Sequence, residues 1–277
     1  MGSQLWLLPL GFLIGAFGTL IGAGGGFVLM PLLLLFYSDQ RPEILTSISL
    51  AVTFFNALSG SAAYARMRRI DYRSGLMFAA ATIPGAVFGA LHTASVHRRV
   101  FDLIFGVVLL AVSVYLFWQP AFRRKRPRGW SGRFSLTRTV TTADGETFTY
   151  SFNAALGLGL SLAVGYFSSF LGIGGGIIHV PIMARLLDFP VHVATATSHF
   201  VLAIMTLVGT LVHVAMGNFR HSFTQVLLLA AGVLAGAQLG AVLSNHVRGR
   251  WIIRGLATAL AFVGVRILAA AIGGGAG

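Results

Sequence analysis

The sequence predicts an all-α polytopic membrane protein. It would consist of two inverted repeats, each a broken, re-entrant helical hairpin followed by three transmembrane helices, with a small cytoplasmic β-hairpin in the linker. Three observations carry this reading. Of 277 residues, 56% are hydrophobic and only 10% are charged, whereas a soluble domain carries about 25% charged residues. A glycine cluster followed by a proline occurs twice in apolar sequence, as LIGAGGGFVLMP at 20–31 and FLGIGGGIIHVP at 170–181. The basic residues, finally, fall unevenly between the loops.

The echo extends well past the glycines. TSIS at 46–49 aligns with TATS at 195–198, Gly60 with Gly209, and GAVFGA at 85–90 with GAQLGA at 236–241. The chain therefore divides into a first repeat at 1–118, a linker at 119–151 and a second repeat at 152–277, whose apolar part ends near 272. Duplication of this kind is a common way to build a secondary transporter. Each half holds four apolar segments, at 5–36, 44–65, 74–95 and 100–118, then at 152–187, 191–217, 222–246 and 250–271. The opening MGSQLWLLPLGFLIG lacks the basic region of a cleaved signal peptide and is read as leading straight into the first segment.

Six segments have ordinary spanning length. The first of each half exceeds 30 residues, and a straight helix of that length would measure about 48 Å, well beyond the ~30 Å of hydrocarbon. Consecutive glycines weaken a helix, and Pro31 or Pro181 removes a further backbone donor. If these segments cross, the halves lie parallel and the basic residues divide twelve to seven, Arg266 in the last span aside. If they enter and turn back, one side holds Arg66, Arg68, Arg69, Arg73, the seven of the linker, Arg185, Arg248, Arg250 and Arg254. The other holds only Arg41, Arg98, Arg99 and Arg220. The sharper fifteen-to-four division favours re-entry, with the linker cytoplasmic and both termini outside.

The same asymmetry accounts for the net charge of +13. No soluble domain carries it, so nucleic acid is not an expected partner. Membrane lipid is, through the linker's FRRKRPRG run beside anionic headgroups. After that run, Val, Thr, Phe and Tyr alternate around Asp144-Gly145, a hairpin signal. Trp6, Trp118, Trp130 and Trp251 read as interface anchors. Cysteine is absent, which excludes disulfides, thiolate metal sites and a thiol nucleophile.

The glycine clusters are not phosphate loops. No Lys-Ser/Thr follows them, and an apolar membrane segment is no context for a dinucleotide fingerprint. Helix-packing glycines are expected at Gly11/Gly15 and Gly85/Gly89, but GAGGG and GIGGG are too dense for a continuous helix. Unwound backbone at membrane depth survives only where protein buries it or a cavity adjoins it. It leaves N–H groups free, and the following half-helix points its positive end at the break. Two such breaks facing each other near the midplane suit an anion.

The paired glycine-then-proline motifs, the TSIS/TATS segments and the two-half layout over nearly the whole chain resemble the TauE/SafE family of sulfite-exporter-like membrane proteins. The resemblance implies transport of sulfite, organosulfonates or related small anions across a bacterial inner membrane, largely outward. Ile48 stands where the second half has Thr197, and His179 and His199 face Leu29 and Leu50, so the two half-sites are chemically unequal.

All seven acidic residues fall in loops or at segment ends, which argues against a carboxylate relay. The polar candidates at depth are Ser47, Ser49, Thr53 and Asn56, then Ser168, Ser169, His179, Thr195, Thr197, Ser198 and His199. The candidate substrate site comprises Gly24, Gly25, Gly26, Ser47, Ser49, Asn56, Gly174, Gly175, Gly176, His179, Thr197, Ser198 and His199. A buried histidine is expected either to fill a structural hydrogen-bonding role or to pair with the anion and carry a coupled proton. The two histidines lack a deep carboxylate or cysteine to complete a metal shell, and no hydrolase motif is present. Neither a cofactor nor an enzyme activity is expected. The leading reading is a secondary transporter of a small anion; a passive anion channel or a membrane subunit of a larger assembly is the alternative.

Overall fold

The computed structural model describes residues 4–37, 39–118, 130, 132–219, 222–244 and 250–273. The linker's basic run at 123–128, Arg220, Arg248 and the side chains of Arg250, Trp251 and Arg254 lie outside the described residues. The first half contains α1 (Leu7–Ile21), α2 (Gly26–Phe36), α3 (Pro42–Arg66), α4 (Tyr72–Thr93) and α5 (Arg98–Phe117). Strands β1 (Ser135–Thr141) and β2 (Thr147–Asn153) follow. The second half contains α6 (Ala154–Leu171), α7 (Gly176–Pro181), a π-helical turn (Ile182–Leu186), α8 (Val191–Ala215), α9 (Phe223–Leu243) and α10 (Arg250–Gly273). Among the described residues, seven helices are long and apolar enough to cross a membrane: α3, α4, α5, α6, α8, α9 and α10 from Leu256.

Each long segment breaks where its glycines predict. Gly22, Gly24 and Gly25 have φ of 79°, 79° and 62°, and Gly172, Gly174 and Gly175 have 68°, 78° and 60°. Side chains resist that region, so the chain turns sharply within four residues. The turn folds each segment back on itself. Trp6, before α1, meets Phe36 at the end of α2 with ring centroids 6.0 Å apart. Phe152, before α6, meets Phe189, beyond the π-helical turn, at 4.9 Å. Both broken segments therefore begin and end at the same end of the molecule.

The halves interlock. Gly11 and Gly15 of α1 lie against the backbone of Leu229 and Val233 of α9, and Gly85 and Gly89 of α4 against Leu162 and Tyr166 of α6. These pairs run parallel, and each glycine lets two backbones approach, as the small-residue spacing predicts. α5 and α10 run antiparallel: Ser113 Oγ donates to the Ala257 carbonyl (2.6 Å) and Arg99 Nε to that of Ala271 (2.9 Å).

The β-hairpin forms around Asp144-Gly145, with Thr141 opposite Thr147 and Gly145 at φ 82°. β2 runs two residues beyond the expected linker boundary, and Asn153 caps α6 by accepting from the Leu156 N–H (3.1 Å). The hairpin docks on the α3–α4 turn. The Ala143 N–H donates to the Met67 carbonyl (3.0 Å), Arg69 pairs with Asp144 (3.6 Å), and the Tyr150 hydroxyl donates to Asp71 Oδ2 (2.8 Å). Asp71 also caps α4 by accepting from the Ser74 N–H (3.1 Å). Trp130 packs with the hairpin's apolar residues.

Candidate functional site

The two glycine breaks meet at the centre of the fold. A Cβ placed on Gly26 would lie 2.9 Å from the backbone of Ile173, and one on Gly176 would lie 2.7 Å from the Ala23 carbonyl. Backbone faces backbone at these two points, so neither Gly26 nor Gly176 has room for a side chain of its own. This is the opposition that the duplicated motif predicts.

Helices α3 and α8 surround the contact. From α3, Thr46 lies against Gly172, and Ser49 Oγ donates to the Gly172 carbonyl (2.6 Å). Thr53 sits between the breaks, its hydroxyl toward Gly26 and its methyl toward Gly174. From α8, Thr195 touches Gly22, Leu202 touches Gly24 and Met205 touches Gly175. These contacts are all neutral.

The first break is braced. The N–H groups of Ala23 and Gly24 bond back to the Gly18 carbonyl (2.8 and 3.0 Å). With its amide in the orientation its neighbours satisfy, Asn56 donates to Thr19 Oγ1 (2.9 Å) and the Gly15 carbonyl (3.3 Å) and accepts from the Gly25 N–H (3.3 Å). The second half has Met205 where the first has Asn56, and Ser169 where it has Thr19. The Ser168 and Ser169 hydroxyls there have no partner.

Other predicted residues go elsewhere. Ser47 bonds its own helix at the Ile44 carbonyl (2.7 Å). Thr197 accepts from the Asp71 N–H (3.0 Å) and so supports the α3–α4 turn. His179 pairs with Ser161 (3.2 Å) and packs edge-on against Phe78. His199 lies against Gly60 and the Tyr64 ring. Neither of its ring nitrogens reaches a partner with good geometry, although the Gly22 backbone is near enough to interact. Ser198 is fully buried and its hydroxyl unpartnered. The structure thus gathers Gly24–Gly26, Gly174–Gly176, Ser49 and Asn56 around one point, with His199 beside Gly22. It adds Thr53, Thr19 and Thr46, of which Thr53 was visible only as a polar residue at depth. Thr53 has Leu202 as its repeat equivalent, so duplication gives no signal for it.

Seven described helices long and apolar enough to span, folded around opposed, unwound breaks, define a multi-pass membrane protein. A family model described as "Sulfite exporter TauE/SafE" matches residues 7–267, and the chain belongs to that family. It is 31% identical over 274 residues to the probable membrane transporter protein YunE of Bacillus subtilis (strain 168), covering 96% of this chain and 97% of the relative. It is 22% identical over 281 residues to a probable membrane transporter protein of Methanocaldococcus jannaschii, covering 95% and 96%. It is 25% identical over 260 residues to the probable membrane transporter protein YjnA of Bacillus subtilis, covering 90% and 92%. No solved structure matches the chain significantly.

Proposed function

We propose that this protein is a secondary transporter that moves a small sulfur-containing anion, sulfite or an organosulfonate, outward across a bacterial inner membrane. The substrate binds between the glycine breaks, which touch in the state seen here and part to admit it. The observation that carries this reading is the backbone contact of Gly26 with Ile173 and of Gly176 with Ala23. It brings two unwound segments together among neutral hydroxyls, where carboxylates would repel an anion. The family's description supplies the sulfur chemistry and the outward direction.

The topology of this proposal has two inverted repeats, with both hairpins re-entrant and the β-hairpin cytoplasmic. Repeat-equivalent helices α5 and α10 run antiparallel, as a two-fold axis in the membrane plane requires; an axis along the normal would leave them parallel. His199 is the group we assign to proton coupling, because its ring is buried beside the first break with neither nitrogen well bonded.

The test is uptake of labelled sulfite, methanesulfonate and taurine into proteoliposomes with and without a pH gradient. Saturable flux with exchange from the far side supports the carrier, and non-saturating flux makes it a channel. No flux of any anion removes the reading. A His199→Gln protein should lose the pH dependence of that flux; an unchanged profile excludes His199 as the proton-responsive group.

A further inference from the structure

Threonines in membrane helices usually satisfy their hydroxyls on their own backbone, and four of those described here do. Thr82 bonds the carbonyl of Ala79 (2.7 Å), Thr93 that of Gly89 (3.0 Å), Thr206 that of Leu202 (2.7 Å) and Thr210 that of Thr206 (2.7 Å). Thr53 does not. Its hydroxyl is 1% exposed as a residue, has no partner, and lies 2.5 Å from where a Cβ on Gly26 would stand. Gly26 opens α2, a helix of 11 residues whose N-terminal end carries partial positive charge. A buried hydroxyl left without a bond is costly; Thr46, Ser61, Ser168, Ser169 and Ser198 are left so as well, and Thr53 is the one of them that lies against Gly26, where the breaks meet and a ligand would satisfy it.

The surroundings limit the charge of that ligand. The repeat equivalent of Thr53 is Leu202, packed on Gly24, and Met205 lies on Gly175. Asn56 is engaged in bracing the first break. The described arginines that pair lie at helix ends, as Arg98 with Asp102 (2.8 Å) and Arg69 with Asp144 (3.6 Å) do, and Arg266 is exposed on α10. At Gly26 one side-chain hydroxyl, one helix end and the Ile173 backbone are at hand, with no fixed cationic side chain among the described residues, which compensates a single charge. The cost of desolvating an ion rises with the square of its charge, so a dianion faces about four times the penalty of a monoanion of like size.

Resting on the anion-transport reading above, we infer that the site selects a singly charged oxyanion, with Thr53 donating to one of its oxygens and Asn56 positioning the break without touching the substrate. Sulfonates and hydrogensulfite belong to this class; sulfate does not.

The experiment measures thermal stabilisation and isothermal binding of the full chain in lipid nanodiscs with methanesulfonate or sulfate at matched ionic strength. The variants are Thr53→Val and Thr53→Ser. Wild type should bind methanesulfonate at least about 10-fold more tightly than sulfate. Thr53→Val should weaken methanesulfonate by about 10- to 100-fold, the loss of one hydrogen bond to a charged group. Thr53→Ser should retain most of the affinity, which shows that the hydroxyl and not the packing is read. Sulfate binding as tightly as methanesulfonate, or Thr53→Val binding as wild type does, overturns this inference and leaves anion transport standing. No binding of either anion to wild type overturns both.

Discussion

Gly60 of α3 lies against the His199 ring of α8, with the position of a Cβ 2.7 Å from the ring. Gly209, the repeat equivalent of Gly60, lies in the same way against Leu50, the equivalent of His199. One contact is thus made twice with the halves exchanged, and the two helices run antiparallel. This reciprocity is what the proposed internal two-fold axis requires. It also explains why His199 is unequal to its counterpart: the symmetric position is an ordinary leucine.

The arrangement predicts sidedness. The chain has no cysteine, so single cysteines report cleanly. Gln4→Cys, Gln40→Cys and Met216→Cys should react with a membrane-impermeant maleimide on intact cells, and Thr139→Cys only after permeabilisation. Protection of Gln4→Cys or Met216→Cys in intact cells would mean that the broken segments cross.

At Gly176 the meeting of the breaks leaves no room for a methyl. Gly176→Ala would push a methyl to 2.7–2.8 Å from the Ala23 backbone, which cannot swing aside. It should cost about 1–3 kcal/mol, seen as a lower Tm, and should abolish anion binding. Gly159→Ala is the control: its Cβ would meet nothing within 4 Å, so Tm should hold or rise slightly. Equal effects of the two would detach Gly176 from the site.

Asn56 as a brace makes a second stability prediction. Asn56→Leu strands the Thr19 hydroxyl and the Gly25 N–H, at about 1–3 kcal/mol. Adding Thr19→Val should cost less than the sum of the two single changes, because the polar partner is then removed as well. Strict additivity in thermal unfolding would show that the pair does not interact.

The hairpin latch should be alkali-sensitive. Burial pushes the Tyr150 phenol above its ordinary value of 10.0, and the neighbouring Asp71 charge and hydrogen bond push the same way. The undocked phenol ionises near pH 10 while the docked one keeps its proton. Docking is therefore at full strength below about pH 10 and weakens as pH rises beyond it. Proteolysis at the Asp144-Gly145 turn should accelerate above that pH. Tyr150→Phe should accelerate it at neutral pH by about 1–3 kcal/mol of lost bonding and remove the alkaline step. Cleavage independent of pH and of Tyr150→Phe would show that the hairpin is held otherwise.

The glycine breaks, the helix boundaries to within about two residues, the β-hairpin and the packing glycines were legible because each rests on local chemistry. Positive φ needs glycine, a span needs length and apolarity, and Asp-Gly makes a tight turn. The side-chain roles were less legible. Thr197 and His179 have the polarity and depth of site residues, yet they face the α3–α4 turn and Ser161. Thr53 has no echo in the second half, so the sequence marks it only as a polar residue at depth.

By itself the sequence determined that the chain lives in a membrane, that it is duplicated, and where each half must break, since composition, spacing and backbone freedom are properties of a few neighbouring residues. Only the tertiary structure decided which hydroxyls meet the breaks, which asparagine braces one of them and which histidine lies beside them. Those outcomes depend on how α3 and α8 rotate about their own axes when packed. One residue on a helix turns its side chain by 100°, so neighbours in sequence end on different faces, and long-range packing alone selects the face turned to the centre.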